Sequence, residues 1–309
     1  MPLSFHEGSP EGLALTFDLG LFHNPKHLKL QADSGWTTFY IRNQNSIEGL
    51  VHFHLENDQA VSPHRSPFGS FLFSDALAED DLENFISFCE LQLRSRGIKA
   101  ITLKNQPEIY SNQNKRLIDV LSKLKYEVNL EETSAIIGIT EKNFESGLHR
   151  SEKKRLRKCR ESGLTFHRID LNQLQKIYTF LEACRKEKGY ALSMSYKEIK
   201  NLAGTFPERI MLTAVIDGNK IVAANISIRV YQHVLYNFYH DHASEYDPLS
   251  PVVLLNEGLY LFCQESKIEY LDLGTSMIDG KLNESLFNFK VNLGAKPSRK
   301  LLVHKTLAV

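Results

Sequence analysis

Two imidazoles with a carboxylate between them close an aromatic run at Tyr239-His-Asp-His242. In an extended chain His240 and His242 share one face and Asp241 takes the other. An imidazole near its ordinary pKa can accept a proton from an attacking amine. Asp272 and Ser276 flank Gly274 at the end of the apolar run Ile268-Glu-Tyr-Leu-Asp-Leu273. Open α/β sheets put ligands at such strand ends, although Asp272 equally suits a cap on the next turn. Ser250-Pro251 opens an apolar helical pattern through Leu254, Leu255, Leu259 and Phe262, with proline suited to the first turn and Ser250 to the cap. The N–H groups of such an N-terminus suit a phosphate or an oxyanion. Lys290 stands between Phe289 and Val291, so its ammonium is held near a packed surface or snorkels from a half-buried helix.

Arg150, Lys153, Lys154, Arg155, Arg157, Lys158 and Arg160 crowd one short segment, with Leu148, Leu156 and Cys159 as a narrow apolar stripe. That is a solvated helix face or a seat for a phosphate-bearing partner. No aromatic residues interleave, so base stacking of the single-strand type is not implied. His52 and His54 share one strand face and are expected to pack or to contact an acceptor. No further ligands stand near His240 and His242, and no metal is expected. Cys89, Cys159, Cys184 and Cys263 form no C-x-x-C pair, which fits a reducing compartment.

Trp36–Arg42 is rich in β-branched and aromatic residues and reads as a strand, with Ile47–Glu56 returning beyond a polar turn. Leu82, Phe85, Ile86, Cys89 and Leu93 give helical spacing behind Asp80 and Asp81; Gly97 ends that helix and 98–103 is a short strand. The order recurs later: strands at 209–216 and 221–230 joined by Asp217-Gly-Asn-Lys220, an aromatic strand at 234–240, the Ser250 helix, then the strand at 268–273. Helical stretches are expected at 144–163 and 171–188, and 129–133 is the expected joint. Acidic and basic residues balance at 37 each, so no global field draws the chain to DNA or to anionic lipid. The N-terminal residues lack the pattern of a signal peptide, and no apolar run approaches the ~20 residues of a membrane span. A cytoplasmic setting is expected.

With these motifs in order, the chain resembles the FemAB-like group of the GNAT acyltransferase superfamily, which carries two GNAT-type domains in tandem. Leu21-Phe-His-Asn-Pro25 resembles the group's opening segment, and Ser66-Pro-Phe-Gly-Ser-Phe71 its first-domain loop. Arg150–Gly163 resembles the basic helix that begins the second domain. Asp272-Leu-Gly-Thr-Ser276 with Phe289-Lys290 and Leu293-Gly294 resembles its C-terminal signature. The resemblance implies an α/β (α+β) fold of two GNAT-like domains at 1–132 and 133–309, each a mixed, mostly antiparallel twisted sheet flanked by helices.

It further implies an N-acyltransferase that moves an activated acyl group onto an amine of a small molecule, sugar or peptide, with acyl-CoA (acetyl-CoA) as co-substrate. Such a reaction needs a deprotonated amine, a stabilised oxyanion and aligned reactants. Lys290, His240 and Asp272 are then the catalytic candidates. Tyr239, Ser250, Pro251, Val252, Gly274, Thr275, Ser276 and Phe289 fall to the donor. Ser66, Phe68 and Gly69 fall to an acceptor groove between the halves, and Arg150, Lys154, Arg155 and Arg157 to a basic patch. The sequence departs from single-domain GNAT enzymes where their pyrophosphate loop reads Arg/Gln-x-x-Gly-x-Gly/Ala. Here the stretch is Tyr246-Asp-Pro-Leu-Ser-Pro-Val252, without glycine. Two rivals therefore stay open: a tRNA-dependent aminoacyltransferase acting on a wall or envelope precursor, and a GNAT-fold module that binds without catalysis.

Overall fold

The computed structural model describes residues 3–278 and 281–307. The chain forms two units, Met1–Thr133 with Ser298–Val309, and Ser134–Pro297. The first division falls inside a strand, Glu127–Gly138. Residues 129–133 are therefore extended, in a strand that runs through this division. Residues from Ser298 onward group with the first unit.

In the first unit the strands lie in the order Ser4–Glu7, Trp36–Asn43, Ser46–Glu56, Gln59–Ser62, Ala100–Lys104, Lys296–Thr306. All neighbours are antiparallel except Gln59–Ser62 with Ala100–Lys104. Helix Glu79–Ser95 carries three acids in its first turn, where the helix dipole favours them. It buries Leu82, Phe85, Ile86, Cys89 and Leu93 against Phe39, Val51, Phe53 and Ile101 of the sheet.

In the second unit the order is Glu127–Gly138, Tyr270–Thr275, Val234–His242, Lys220–Tyr231, Ile210–Asp217, Thr165–Ile169. Every pair is antiparallel except Val234–His242 with Tyr270–Thr275. From Val222 to Ile228 the strand Lys220–Tyr231 is buried at every position, so both of its faces are covered; helices Leu174–Glu187 and Val252–Glu265 pack on it. The expected mixed, mostly antiparallel sheet with flanking helices is what the structure shows.

The passage from helix to strand is alike in the two units. Gly97, at φ +80°, follows helix Glu79–Ser95, and Lys267, at φ +54°, follows helix Val252–Glu265. Gly97 and Ile98 donate to Arg94 and Leu93, while Lys267 and Ile268 donate to Gln264 and Cys263. Both are the same left-handed helix terminus, held by glycine in one and by lysine in the other; Lys125, Gly163 and Gly189 close helices in the same way.

Two local expectations change. Residues 144–163 are not one helix: a 3-10 turn, Phe144–Gly147, is followed by extended His149, whose imidazole receives the Ser151 N–H and starts helix Arg150–Glu161. Ser250 is not a helix cap either. Pro251 holds that position, and Ser250 sits in the left-handed region at φ +55°.

Candidate functional site

The one parallel pair among the described residues of the second unit makes the pocket. Strands Val234–His242 and Tyr270–Thr275 are in register only at Val234–Tyr270, Leu235–Leu271 and Tyr236–Asp272. Beyond that they part, and Asn237, Phe238, His240, Leu273, Gly274 and Thr275 line a pocket of about 660 Å³. Parting strands leave backbone and inward side chains without sheet partners, which is how a sheet offers polar groups to a ligand.

Gly274, at φ +73°, lets the Tyr270 strand bulge between Asp272 and Thr275 against its antiparallel neighbour. Its N–H donates to Asp272 Oδ1 at 2.7 Å. Its carbonyl accepts from Lys290 Nζ at 3.1 Å, and the Thr275 carbonyl accepts from the same ammonium at 2.8 Å. Lys290 reaches them from helix Glu284–Asn292, which is capped by the Asn283 side chain receiving the Leu286 N–H. The lysine is only 3% exposed. Burial brings its pKa down to about 8; the Asp272 carboxylate opposes that shift and Arg185 adds to it. Asp272, itself buried, does not line the pocket and acts on it through Gly274 and Lys290.

His240 lines the pocket with Nδ1 unpartnered. Desolvation, then the nearby Lys290 and Arg185, push its pKa down to about 3. The expectation of an imidazole near its natural pKa is thus corrected: packing and two cations keep His240 neutral. Asn237, beside it, has an unpartnered buried Nδ2. Its Oδ1 is taken by the Asn225 side-chain amide. Asp241 is buried against Arg185 Nε at 3.1 Å and the Lys188 ammonium. His242 Nε2 lies 2.7 Å from Asp247 Oδ1 at the rim.

Four cations (Arg155, Arg185, Lys188 and Lys290) and two carboxylates (Asp241 and Asp247) line the pocket, so its field favours an anionic ligand. The loop Tyr246–Val252 offers such a ligand little backbone. Pro248 and Pro251 have no N–H, and those of Tyr246, Asp247, Leu249 and Ser250 donate to carbonyls of residues 243–247. Val252 alone is left, at the pocket wall.

Of the residues the sequence singled out, His240, Ser250, Val252, Gly274, Thr275, Phe289, Lys290 and Arg155 meet at this pocket. Tyr239 does not: its hydroxyl contacts Ser193 Oγ at 2.6 Å and receives the Met194 N–H. Pro251 and Ser276 are outside the lining, Ser276 being buried. Arg150, Lys154 and Arg157 are exposed on helix Arg150–Glu161, away from the wall that Arg155 joins.

Ser66, Phe68 and Gly69 are buried in the first unit. Phe68 packs edge-on to Phe22 and Tyr110, and a Cβ on Gly69 would stand 2.8 Å from Pro63. His52 is also buried, with Nδ1 2.7 Å from Thr38 Oγ1. Arg185, Lys188 and Asn237 were not among the sequence candidates, and Asp241 stood there only as the acid between two imidazoles. Their signal is a pairing across 53 residues, Lys188 with Asp241, which no local pattern carries.

Residues 148–284 match the family described as acetyltransferase (GNAT) domain. No curated protein matches the chain in sequence. Among solved structures, FemX aligns with 94% of this chain and 92% of its own at a TM-score of 0.71 and 13% identity. A tandem GNAT protein from the clavulanic acid biosynthesis pathway aligns over 100% and 99% at 0.56 and 7% identity. L-PGS from Bacillus licheniformis aligns over 93% and 93% at 0.56 and 12% identity. At these identities the likeness is one of fold. It agrees with the resemblance to tandem GNAT domains of the FemAB-like kind. No helix among the described residues is long and apolar enough to cross a membrane.

Proposed function

Taking residues 148–284 as an acetyltransferase (GNAT) domain, we propose that the chain is an N-acyltransferase whose reaction centre is the gap between the Val234 and Tyr270 strands. The observation that carries this is the Lys290 ammonium, buried at the gap and aimed along the Gly274 and Thr275 carbonyls. A fixed buried cation stabilises charge on a donor carbonyl oxygen without the reorganisation that water would need. The acceptor amine attacks that carbonyl carbon, the new C–N bond forms, and the bond to the carrier breaks with the electron pair leaving on the carrier. The amine proton passes to solvent or to the departing carrier. His240 is too weak a base at a pKa of about 3 to take that proton early; its free Nδ1 and the Asn237 amide orient the amine instead.

The carrier is the finer question. Coenzyme A bound in the usual GNAT manner needs backbone N–H groups at its pyrophosphate, and the Tyr246–Val252 loop has spent nearly all of them. This favours an aminoacyl-tRNA, whose phosphates would meet side-chain cations such as Arg155 and the exposed face of helix Arg150–Glu161. Acetyl-CoA is the second reading, supported by the family match itself. The acceptor we infer is an amine on a small molecule, sugar or peptide. A cytoplasmic setting is supported by four cysteines that are all free and buried.

Calorimetric titration and thermal shift with acetyl-CoA and with aminoacyl-tRNA, at two salt concentrations, test the reading. Saturable binding of either, followed by transfer to an amine, supports it and names the carrier. A folded protein that binds neither and transfers nothing is a silent module, and acyl transfer is then lost as an explanation.

A further inference from the structure

A separate cluster lies in the first unit, and nothing about it depends on acyl transfer. His54 and Glu56 stand two apart at the end of strand Ser46–Glu56, on one face. His64 follows strand Gln59–Ser62, which pairs back with His54 opposite Val61 and Glu56 opposite Gln59. The hairpin thus returns His64 to its own partners. The imidazoles of His54 and His64 stack with centroids 4.0 Å apart and an interplanar angle of 26°. One ligand atom from each of His54, Glu56 and His64 lies within 4.8 Å of the other two.

Two further observations separate this cluster from chance packing. His54 Nδ1 is buried and has no hydrogen-bond partner, a vacancy that costs free energy unless something fills it. Next to it Gly35, at φ +85°, leaves room that any side chain would take: a Cβ there would come 2.8 Å from His54 Nε2.

We propose that His54, Glu56 and His64 bind one divalent transition-metal ion of the zinc type, with a fourth position open to water. Two imidazoles and one carboxylate suit Zn2+, Ni2+ or Cu2+, whereas Mg2+ and Ca2+ prefer an all-oxygen shell. Tetrahedral zinc keeps its donors roughly 3.4 Å apart, so donors within 4.8 Å of one another need close by at most about 1.4 Å. Glu56 is exposed and His64 partly so, and their side-chain torsions supply that movement. Bound there, the ion clips the end of the hairpin and adds its binding energy to the stability of the first unit.

The chain carries its own reporter. Trp36 is its single tryptophan, and its ring stands edge-on 5.2 Å from His54 and 6.5 Å from His64. The full-length protein, stripped with a chelator, is titrated with Zn2+, Co2+ and Mg2+ while Trp36 emission and calorimetric heat are recorded. The expected result is saturation by Zn2+ at a single ion per chain, an intense tetrahedral Co2+ spectrum and no response to Mg2+. His64→Ala and Glu56→Gln, both at accessible positions and checked for folding by circular dichroism, are each expected to weaken Zn2+ by about tenfold or more. Absence of stoichiometric Zn2+ binding to the wild-type chain overturns the proposal. So does unchanged affinity in both variants, which places the ion on other histidines.

Discussion

Lys290 donates to the carbonyl of Gly274, sixteen residues earlier in the chain, and only a residue at home at φ +73° presents that carbonyl without strain. A glycine with positive φ and a buried ammonium are thus two parts of one device. The glycine turns the oxygen, and the oxygen holds the charge beside the gap.

Replacing Lys290 with Met is expected to lower kcat by roughly 10²–10³ and to leave the circular dichroism spectrum unchanged. Because the wild-type pKa is about 8, the ammonium form is lost as pH rises through 8, so wild-type kcat should decline there. The stability sign is opposite. The folded pKa lies below the unfolded 10.5, so the unfolded chain binds more protons between the two. Burying the charge costs stability below pH 8, and that cost is relieved as pH rises toward 10.5, by roughly 3 kcal/mol at most. Urea titrations of wild type and Lys290→Met at pH 7 and 9.5 check this; parallel pH profiles would remove Lys290 from the account.

His240 should make the protein acid-sensitive. Its folded pKa of about 3 lies below the ordinary 6.5, so the unfolded state takes up a proton first. The contribution of His240 to stability is complete above pH 6.5 and is lost as pH falls from 6.5 to 3, at about 1.4 kcal/mol per unit. His240→Asn is expected to flatten that part of the profile, measured as denaturation midpoint against pH. A slope identical to wild type would mean that the imidazole is solvated.

Arg155 joins the pocket wall while Arg157, on the same helix, stands free of it and pairs with Glu161. Arg155→Glu should weaken binding of the phosphate-bearing donor by about tenfold or more and reduce the log–log salt slope by about 1, with Arg157→Glu doing less. Equal effects from both would indicate a diffuse field and no contact at Arg155.

Lys267 occupies a left-handed helix terminus that Gly97 occupies in the other unit. Lys267→Gly is expected to raise stability by roughly 0.5–1 kcal/mol, and Gly97→Lys to lower it by about 1 kcal/mol or more. Thermal melts of the two variants decide the matter, and a destabilised Lys267→Gly protein would show that the lysine side chain outweighs its backbone strain.

What could be read from sequence followed local pattern. Strand Trp36–Asn43 announced itself through β-branched and aromatic residues, and helix Glu79–Ser95 through apolar spacing behind acids. Strand Glu127–Gly138 did not, because its first half is Glu-Val-Asn-Leu-Glu-Glu, with exposed and polar positions that tertiary pairing alone makes extended. At the pocket, Lys290 stood out between apolar neighbours. Arg185 and Lys188 had no such signature, since each is an ordinary surface-type residue until the fold brings it to Asp241. Ser66, Phe68 and Gly69 are buried, and in sequence turn residues beside an aromatic read the same whether exposed or packed.

Strand Lys296–Thr306 pairs antiparallel with Ala100–Lys104, Val303 opposite Leu103. During synthesis the ribosome delivers Ala100–Lys104 nearly two hundred residues before the strand that covers its edge. For that interval the nascent first unit carries an open strand edge backed by Ile101 and Leu103, the kind of template that recruits neighbouring chains on a polysome. The comparable wait in Ser134–Pro297 is shorter, since Ile136 meets Asp272 136 residues later. Translation order therefore makes the first unit, whose earliest residues leave the ribosome first, the one with most call on a chaperone.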